Sequence, residues 1–285
     1  MMQLDPQKNA PKRQYSLSFL TVADVAPVEA VKIAAECGYA KVGLRLLPAA
    51  PNEADYPILT DANVVSETVT ALKDTGVQVA DVEIIRLTPD FNGQKYLQFL
   101  EVAQRLDAKH ILVAGNDPEQ NRLIENFAQF CELSNQYGLS CDLEFMPWTD
   151  VKNLEQANFI VEQSAQSNAA VLIDSLHFDR SDSTIEQVKA LPKSRINYVQ
   201  LCDGLANYDP SDEGLIKIAR SNRLVPGQGE IDLVALIAAL PNDLTLAAEV
   251  PNLELAKLPA LERARINLEA MKKLVALAQM DTVAG

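Results

Sequence analysis

The sequence predicts an α/β chain folded as a single-domain (β/α)8 TIM barrel, and three observations predict it. Short apolar or alternating runs recur eight times, most of them followed by a longer amphipathic segment, the pattern of parallel βαβ units. The chain has 285 residues, and one such barrel takes about 250. A polar residue stands at or near the end of each of the last four runs, where barrels gather their chemistry.

The eight candidate strands are Tyr15–Leu20, Lys41–Leu46, Val77–Ile85, His110–Ala114, Leu139–Phe145, Ala169–Asp174, Ile196–Leu201 and Leu244–Val250. Pro27 lies in the first turn of a segment that ends before Gly38, the arrangement expected of a helix with proline at its start and glycine past its end. Asp61 can cap a helix that stops before Gly76. Pro118 opens another, which ends at Tyr137-Gly138. The last helix sets Leu261, Ala264, Leu268, Met271, Val275 and Ala278 on one face, in steps of three and four. The barrel is expected over residues 14–280, with tails at 1–13 and 281–285. The alternative is an open doubly wound sheet. No GxGxxG follows the first strand and no GxxxxGK[ST] occurs, so the usual motifs of that architecture are missing.

A formal net charge of −14 repels phosphate backbones and anionic membrane surfaces, which excludes nucleic acid and membrane as expected partners. No apolar run approaches the roughly 20 residues of a bilayer span. No secretory signal is visible. The four cysteines are scattered without a CxxC pair, which reads as reduced structural thiols and a cytoplasmic location.

The fifth strand ends at Glu144, the sixth at Asp174, the seventh reaches Gln200 and the eighth Glu249. Strand residues alternate between the barrel interior and the helix layer. If these four point inward, Cys141, Leu143, Val171, Ile173, Leu246 and Ala248 point to the helices, and all six are apolar. Any one of the four acting alone reads as a cap for the following helix. Four on consecutive strands with consistent parity read as one inward ring. Three carboxylates so placed repel each other unless a cation joins them. An all-oxygen set of three carboxylates and one amide suits a single divalent metal ion, Mg2+ or Mn2+ first, with Co2+ or Zn2+ as alternatives. Asp142, one layer deeper, is expected to support the ligands.

These residues resemble the sugar phosphate isomerase/epimerase superfamily, the xylose isomerase-like TIM barrels. Asp174-Ser-Leu-His177 is similar to its Asp-x-x-His motif. Arg223-Leu-Val-Pro-Gly-Gln-Gly-Glu-Ile-Asp232 is similar to its Arg-x-x-Pro-Gly-x-Gly-x-x-Asp loop. Glu144 and Glu249 match its two glutamates. The resemblance implies that both are metal ligands and the catalytic proton-transfer pair. Gln200 stands where the ketose 3-epimerases carry His, and so resembles the hydroxypyruvate isomerases and the 3-dehydroshikimate dehydratases. The latter also share the texture of Glu144-Phe-Met-Pro-Trp148 and Val199-Gln-Leu-Cys-Asp203. The AP endonucleases of the superfamily need several further histidines, whereas His110 and His177 are all this chain has.

The expected function is metal-dependent isomerisation or epimerisation of a small sugar or hydroxy-keto acid, by proton transfer next to a carbonyl that the ion polarises. A 3-dehydroshikimate dehydratase-like lyase and a non-catalytic metal- or sugar-binding barrel are the alternatives. His177 and Arg223 are expected to contact substrate. Arg45 and Arg86, near the ends of the second and third strands, could clamp a substrate carboxylate or phosphate, or pair with acidic side chains of the chain itself. Trp148 reads as a packing residue or mouth wall, and His110 as a satisfied strand histidine. The resemblance leaves room for a homo-oligomer.

Overall fold

A computed structural model describes residues 13–49, 53 and 56–284, the last four by their backbone alone. The expected N-terminal tail, residue 13 apart, therefore lies outside the described residues. Eight parallel strands close into a barrel in sequence order. They are β1 (Tyr15–Leu17), β2 (Lys41–Arg45), β3 (Gln78–Leu87), β4 (His110–Gly115), β5 (Ser140–Glu144), β6 (Ala169–Asp174), β7 (Tyr198–Leu201) and β8 (Thr245–Ala248). Closure is made by β8 pairing with β1, with Tyr15 opposite Leu246 and Leu17 opposite Ala248. The open doubly wound alternative is thereby excluded.

The surrounding helices are α1 (Pro27–Cys37), α2 (Ala62–Thr75), α3 (Leu97–Arg105), α4 (Gln120–Asn135), α5 (Leu154–Gln163), α6 (Ser175–Asp179), α7 (Ile185–Ala190), α8 (Asp212–Ser221), α9 (Leu233–Ala239) and α10 (Ala260–Ala284). Their ends follow local chemistry. Pro27 occupies the first turn of α1, and Gly38 closes it at φ 89° with its N–H on the Ala34 and Ala35 carbonyls. The Asp61 carboxylate accepts from the Asn63 amide to start α2, and Gly76 ends it at φ 74°. The start of α4 falls just after Pro118, because the Glu119 carboxylate takes the free amides of Asn121 and Arg122. α10 continues through Ala284, into the segment expected as a C-terminal tail.

Strand parity separates two apolar sets. Cys141, Leu143, Val171, Ile173, Leu246 and Ala248 join the large cluster formed with helix residues such as Phe127, Ala157 and Leu268. Leu112, Ala114, Leu172, Tyr198 and Ala247 belong to a smaller cluster inside the barrel. Outward parity for the six residues named from sequence is therefore met. The alternation breaks in β3, where the register with β4 shifts between Val82 and Ile85. Burying side chains such as Phe127 and Phe130, both 0% exposed, contributes on the order of 2–3 kcal/mol each. The four cysteines are free, and three are buried. None of the described helices is long and apolar enough to cross a membrane.

Gly115 ends β4 at the C-terminal mouth. A Cβ there would stand 2.3 Å from the Val151 Cγ2 atom, in the loop whose Asp150 amide donates to the Gly115 carbonyl. Gly115→Ala should therefore destabilise the fold by about 1–3 kcal/mol in urea titration. Adding Val151→Ala should recover part of that loss. Equal stability of the single variant and the parent would refute this packing account.

Candidate functional site

The strands deliver the acids to one mouth. Glu144 ends β5, Asp174 ends β6, Gln200 lies on β7, and Glu249 follows β8 directly. All four are buried. They do not form one even ring. Carboxylate oxygens of Glu144 and Asp174 and a ring nitrogen of His177 lie within 4.8 Å of one another. Gln200 Nε2 separately donates to Glu249 Oε1 at 2.8 Å. Between the halves stands Arg223, whose Nη1 pairs with Asp174 Oδ2 and lies 3.2 Å from Glu249 Oε2. Arg223 is 2% exposed, so it is a buried counter-charge of the acids rather than a surface side chain. Asp174 also caps α6, its Oδ1 accepting from the Leu176 and His177 amides at 2.8 and 3.2 Å.

The Pro-Gly-Gln-Gly loop that carries Arg223 is held by Asp203. The Asp203 carboxylate accepts from the amides of Gly204, Gly227 and Ile231 at 2.8, 2.8 and 3.1 Å. Asp203 and Leu224 exchange both backbone hydrogen bonds at 2.8 Å. Gly227 sits at φ 86°, and a Cβ on Gly229 would fall 2.4 Å from Asp203 Oδ1. Gly229 thus leaves space for a buried carboxylate, Gly227 supplies the left-handed turn, and the loop so held aims Arg223.

Burial, and then the Asp174 charge, push the Glu144 carboxyl up to about 8, against the pull of Arg223. Glu249 is raised well above its ordinary range by burial and by Glu83, Asp174 and Glu144, again against Arg223. Burial would raise Asp174 too, but Arg223, His177 and the cap hydrogen bonds bring it below its ordinary value. His177 is lowered to about 4, chiefly by burial, so it is neutral near pH 7. Arg223 therefore holds Asp174 ionised, while Glu144 and Glu249, one from each half, remain short of positive charge. Gln200 Oε1 is buried without a hydrogen-bond partner, and such an atom normally has one. An unpartnered amide oxygen beside carboxylates that cannot all ionise fits a divalent ion held by Glu144, Asp174, Gln200 and Glu249.

Glu144, Glu249, His177 and Arg223 line a pocket of about 290 Å³ that also takes in Glu83, Arg86, Trp148 and Arg220. Of the two strand arginines, Arg45 is committed to acids of the chain itself. It pairs with Glu53 at 2.6 Å and with Glu83 at 2.5 Å. Arg86 instead donates to the neutral Asn116 Oδ1 at 3.1 Å. Trp148 packs edge-on against His177 with ring centroids 4.9 Å apart, so it is both mouth wall and brace. His110 contacts Ser140 Oγ at 2.7 Å, away from the pocket lining. Asp142 is held by Ser140 and Asn197 and makes no hydrogen bond to the three acids and one amide above it. The support expected from it is therefore not made by direct contact, because the strand pitch leaves it a layer below.

The sequence reading missed Glu83 and Arg220. Glu83 is fully buried and, apart from Arg45, faces Glu144 and Glu249 as a further acid of the pocket. Its signal was present in the alternation Asp81-Val-Glu83, two acids inside an apolar strand. Asp81 is raised well above its usual range by burial and by Glu83. Its carboxylate fits only because β2 has Gly43 beside it, where a Cβ would be 2.9 Å from both oxygens. Arg220 sits in the last turn of α8, and only folding brings it to the pocket.

A closed parallel barrel with buried acids from several strand ends in one mouth defines a class of barrel enzyme. The chain belongs to the xylose isomerase-like TIM barrel family, whose sequence model matches residues 31–274. An inosose isomerase of Bacillus velezensis (strain DSM 23117 / BGSC 10A6 / LMG 26770 / FZB42) is 27% identical over 195 residues, 64% of this chain and 67% of that protein. A 3-dehydroshikimate dehydratase of Pseudomonas aeruginosa is 28% identical over 145 residues, 48% of this chain but 22% of that protein. The match to the inosose isomerase of Bacillus subtilis (strain 168) spans about half of each chain, 50% and 52%. The IolI protein with a binding zinc atom superposes with a TM-score of 0.76 at 18% identity, covering 92% of this chain and 98% of that one. The probable 3-dehydroshikimate dehydratase AsbF of Bacillus anthracis gives 0.73 at 14% identity, covering 91% and 98%. These two share the fold with this chain.

The raised acids have a consequence for stability. Folded Glu144 keeps its proton to about 8, while the unfolded chain releases it near 4.5. Folding takes up that proton, so stability falls as pH rises through this window. His177 acts in the opposite sense between about 4 and 6.5, where it is neutral when folded and protonated when unfolded. Above 6.5 Glu144 is unopposed by His177, and Glu249 and Asp81 add in the same direction. In EDTA the thermal midpoint should therefore drop from pH 6.5 to 8. Mn2+ should flatten the slope, and Glu144→Gln should remove part of it. A midpoint in EDTA that holds level or rises over this range would contradict these charge states.

Proposed function

We propose that the protein is a divalent-metal-dependent isomerase or epimerase of a small sugar or hydroxy-keto acid. The observation that carries this reading is the convergence of Glu144 and Glu249 on one pocket, from strands separated by β6 and β7, which carry Asp174 and Gln200. Two acids so disposed can serve opposite sides of one carbon. One removes the proton next to the carbonyl, and the other returns a proton to the intermediate. Gln200 Nε2 orients Glu249 through its 2.8 Å hydrogen bond. Arg223 lowers the cost of charging Glu249. Neutral His177, 3.7 Å from Glu144 and braced by Trp148, offers a ring N–H to a substrate oxygen. Arg45 positions Glu83, and Arg86 reaches the substrate from the pocket wall. A divalent ion held by Glu144, Asp174, Gln200 and Glu249 would polarise the carbonyl and keep the carboxylates charged at neutral pH.

The second reading is a lyase of the 3-dehydroshikimate dehydratase kind, favoured by Gln200 and by the 28% match to a dehydratase. It uses the same first proton removal and differs in the fate of the intermediate, which expels a β-hydroxyl. A screen in D2O with added Mg2+, Mn2+, Co2+ or Zn2+ separates the readings. Inososes, keto sugars, hydroxy-keto acids and 3-dehydroshikimate are the substrates to offer. Isomerisation or epimerisation should place deuterium on a product of otherwise unchanged composition, whereas dehydration loses water and creates new absorbance. For the active substrate, Glu144→Gln and Glu249→Gln should each lower kcat by roughly 10²-fold or more. EDTA should abolish turnover, and the ion should restore it. Full turnover by Glu249→Gln would sink the two-glutamate mechanism, and metal binding without turnover of any substrate would leave a non-catalytic binder.

A further inference from the structure

The pocket's charges pair off unevenly. Arg45 is taken by Glu53 and Glu83, and Arg223 by Asp174 and Glu249. Arg86 and Arg220 remain. Both line the pocket, and among the described residues neither has a carboxylate within ion-pair distance. Arg86 is half-buried. Its sole hydrogen-bond partner among those residues is the neutral Asn116 amide oxygen, at 3.1 Å, and the Asn116 backbone is anchored by its N–H to the Leu87 carbonyl at 2.8 Å. This holds the guanidinium in place without neutralising it and leaves its other N–H groups free. Burial lowers the Arg86 pKa, and after the opposing pull of Glu144 the next causes are two positive neighbours, Arg220 and Arg45. Two guanidiniums without an ion-pair partner, side by side at a substrate pocket, are unexpected in a chain of net charge −14, where acids to pair with are abundant. Arg220 alone reads as a cation favouring the C-terminal end of α8. Arg86 is on a strand and has no such explanation.

We propose that Arg86 and Arg220 form a clamp for an anionic group of the substrate, a carboxylate or a phosphate, so that the protein acts on an acid sugar, a keto acid or a sugar phosphate rather than on a neutral polyol. This rests on the reading of the pocket as the substrate site and deepens it. Guanidiniums bind both anions through paired N–H donors. The pocket, at about 290 Å³, is near the small end of ligand pockets, so an anion gripped by the clamp lies close to the acids. Glu83 Oε1, buried without a partner, is left to accept from a hydroxyl of the same molecule.

The test is calorimetric, on the Mn2+-loaded protein, with D-glucuronate, D-glucose 6-phosphate and D-glucose as matched probes. At least one anionic probe should bind tenfold or more tightly than glucose, and which one does so identifies carboxylate or phosphate as the preferred group. Arg86→Gln and Arg220→Gln should each weaken that probe about tenfold without lowering the thermal midpoint. Arg86→Lys should fall between, because it keeps the charge and loses the fork. Equal binding of all three probes, no binding of either anion, or anion binding indifferent to both substitutions would overturn the proposal. Because binding is read without turnover, a failed isomerase assay leaves this test intact, and a failed clamp leaves the isomerase reading intact.

Discussion

Gathering Glu144, Asp174, Glu249 and Glu83 within one barrel mouth, each less than a tenth exposed, places a constraint on everything around them. Buried carboxylates keep their charge only beside a positive partner. Arg223 serves Asp174 and Glu249, and Arg45 serves Glu83. The loop that follows α8 exists in its observed form to hold Arg223. Asp203 gathers its amides, and Gly229 makes room for that carboxylate. Charge balance at the mouth thus explains a sequence motif that otherwise reads as a string of turn residues.

The compensation is incomplete, and the shortfall is chemically useful. A carboxyl held near pH 8, such as Glu144, sits in the range where proton transfer at neutral pH is most effective. The unpartnered oxygen of Gln200 and the carboxyl groups beside it offer hard oxygen donors. One added divalent ion, under the reading proposed above, would change the charge state of several acids together. Stability and catalysis are in this way linked through the same few groups.

Around this cluster the barrel divides its labour by strand. Strands β5 to β8 bring Glu144, Asp174, Gln200 and Glu249, β3 brings Glu83 and Arg86, β2 brings Arg45, and the end of α8 with the loop after it brings Arg220 and Arg223. The interior below holds a second polar layer, with Asp142 bound by Ser140 and Asn197 and Asp81 raised well above its usual range. Relatives with isomerase names and relatives with dehydratase names share this scaffold. Differences among them therefore belong to the groups that ring the pocket rather than to the fold.

Much of this was legible in the residues themselves. Alternation of apolar and polar positions determines which face of a strand meets the helices, and that periodicity marked the strands and the inward acids. Capping chemistry marked the ends of α1 and α2 for the same reason: Asp61, Gly38 and Gly76 act within one helical turn. Glu83 was readable by parity, yet a single strand does not say whether an acid is paired, and its partner Arg45 lies on another strand. The split of the three acids and one amide into two halves, the insertion of Arg223 between them, and the meeting of Arg86 with Arg220 were decided by tertiary structure alone. Each depends on distances between residues far apart in sequence, and a guanidinium's choice among several acids follows from which of them the closed barrel brings within reach.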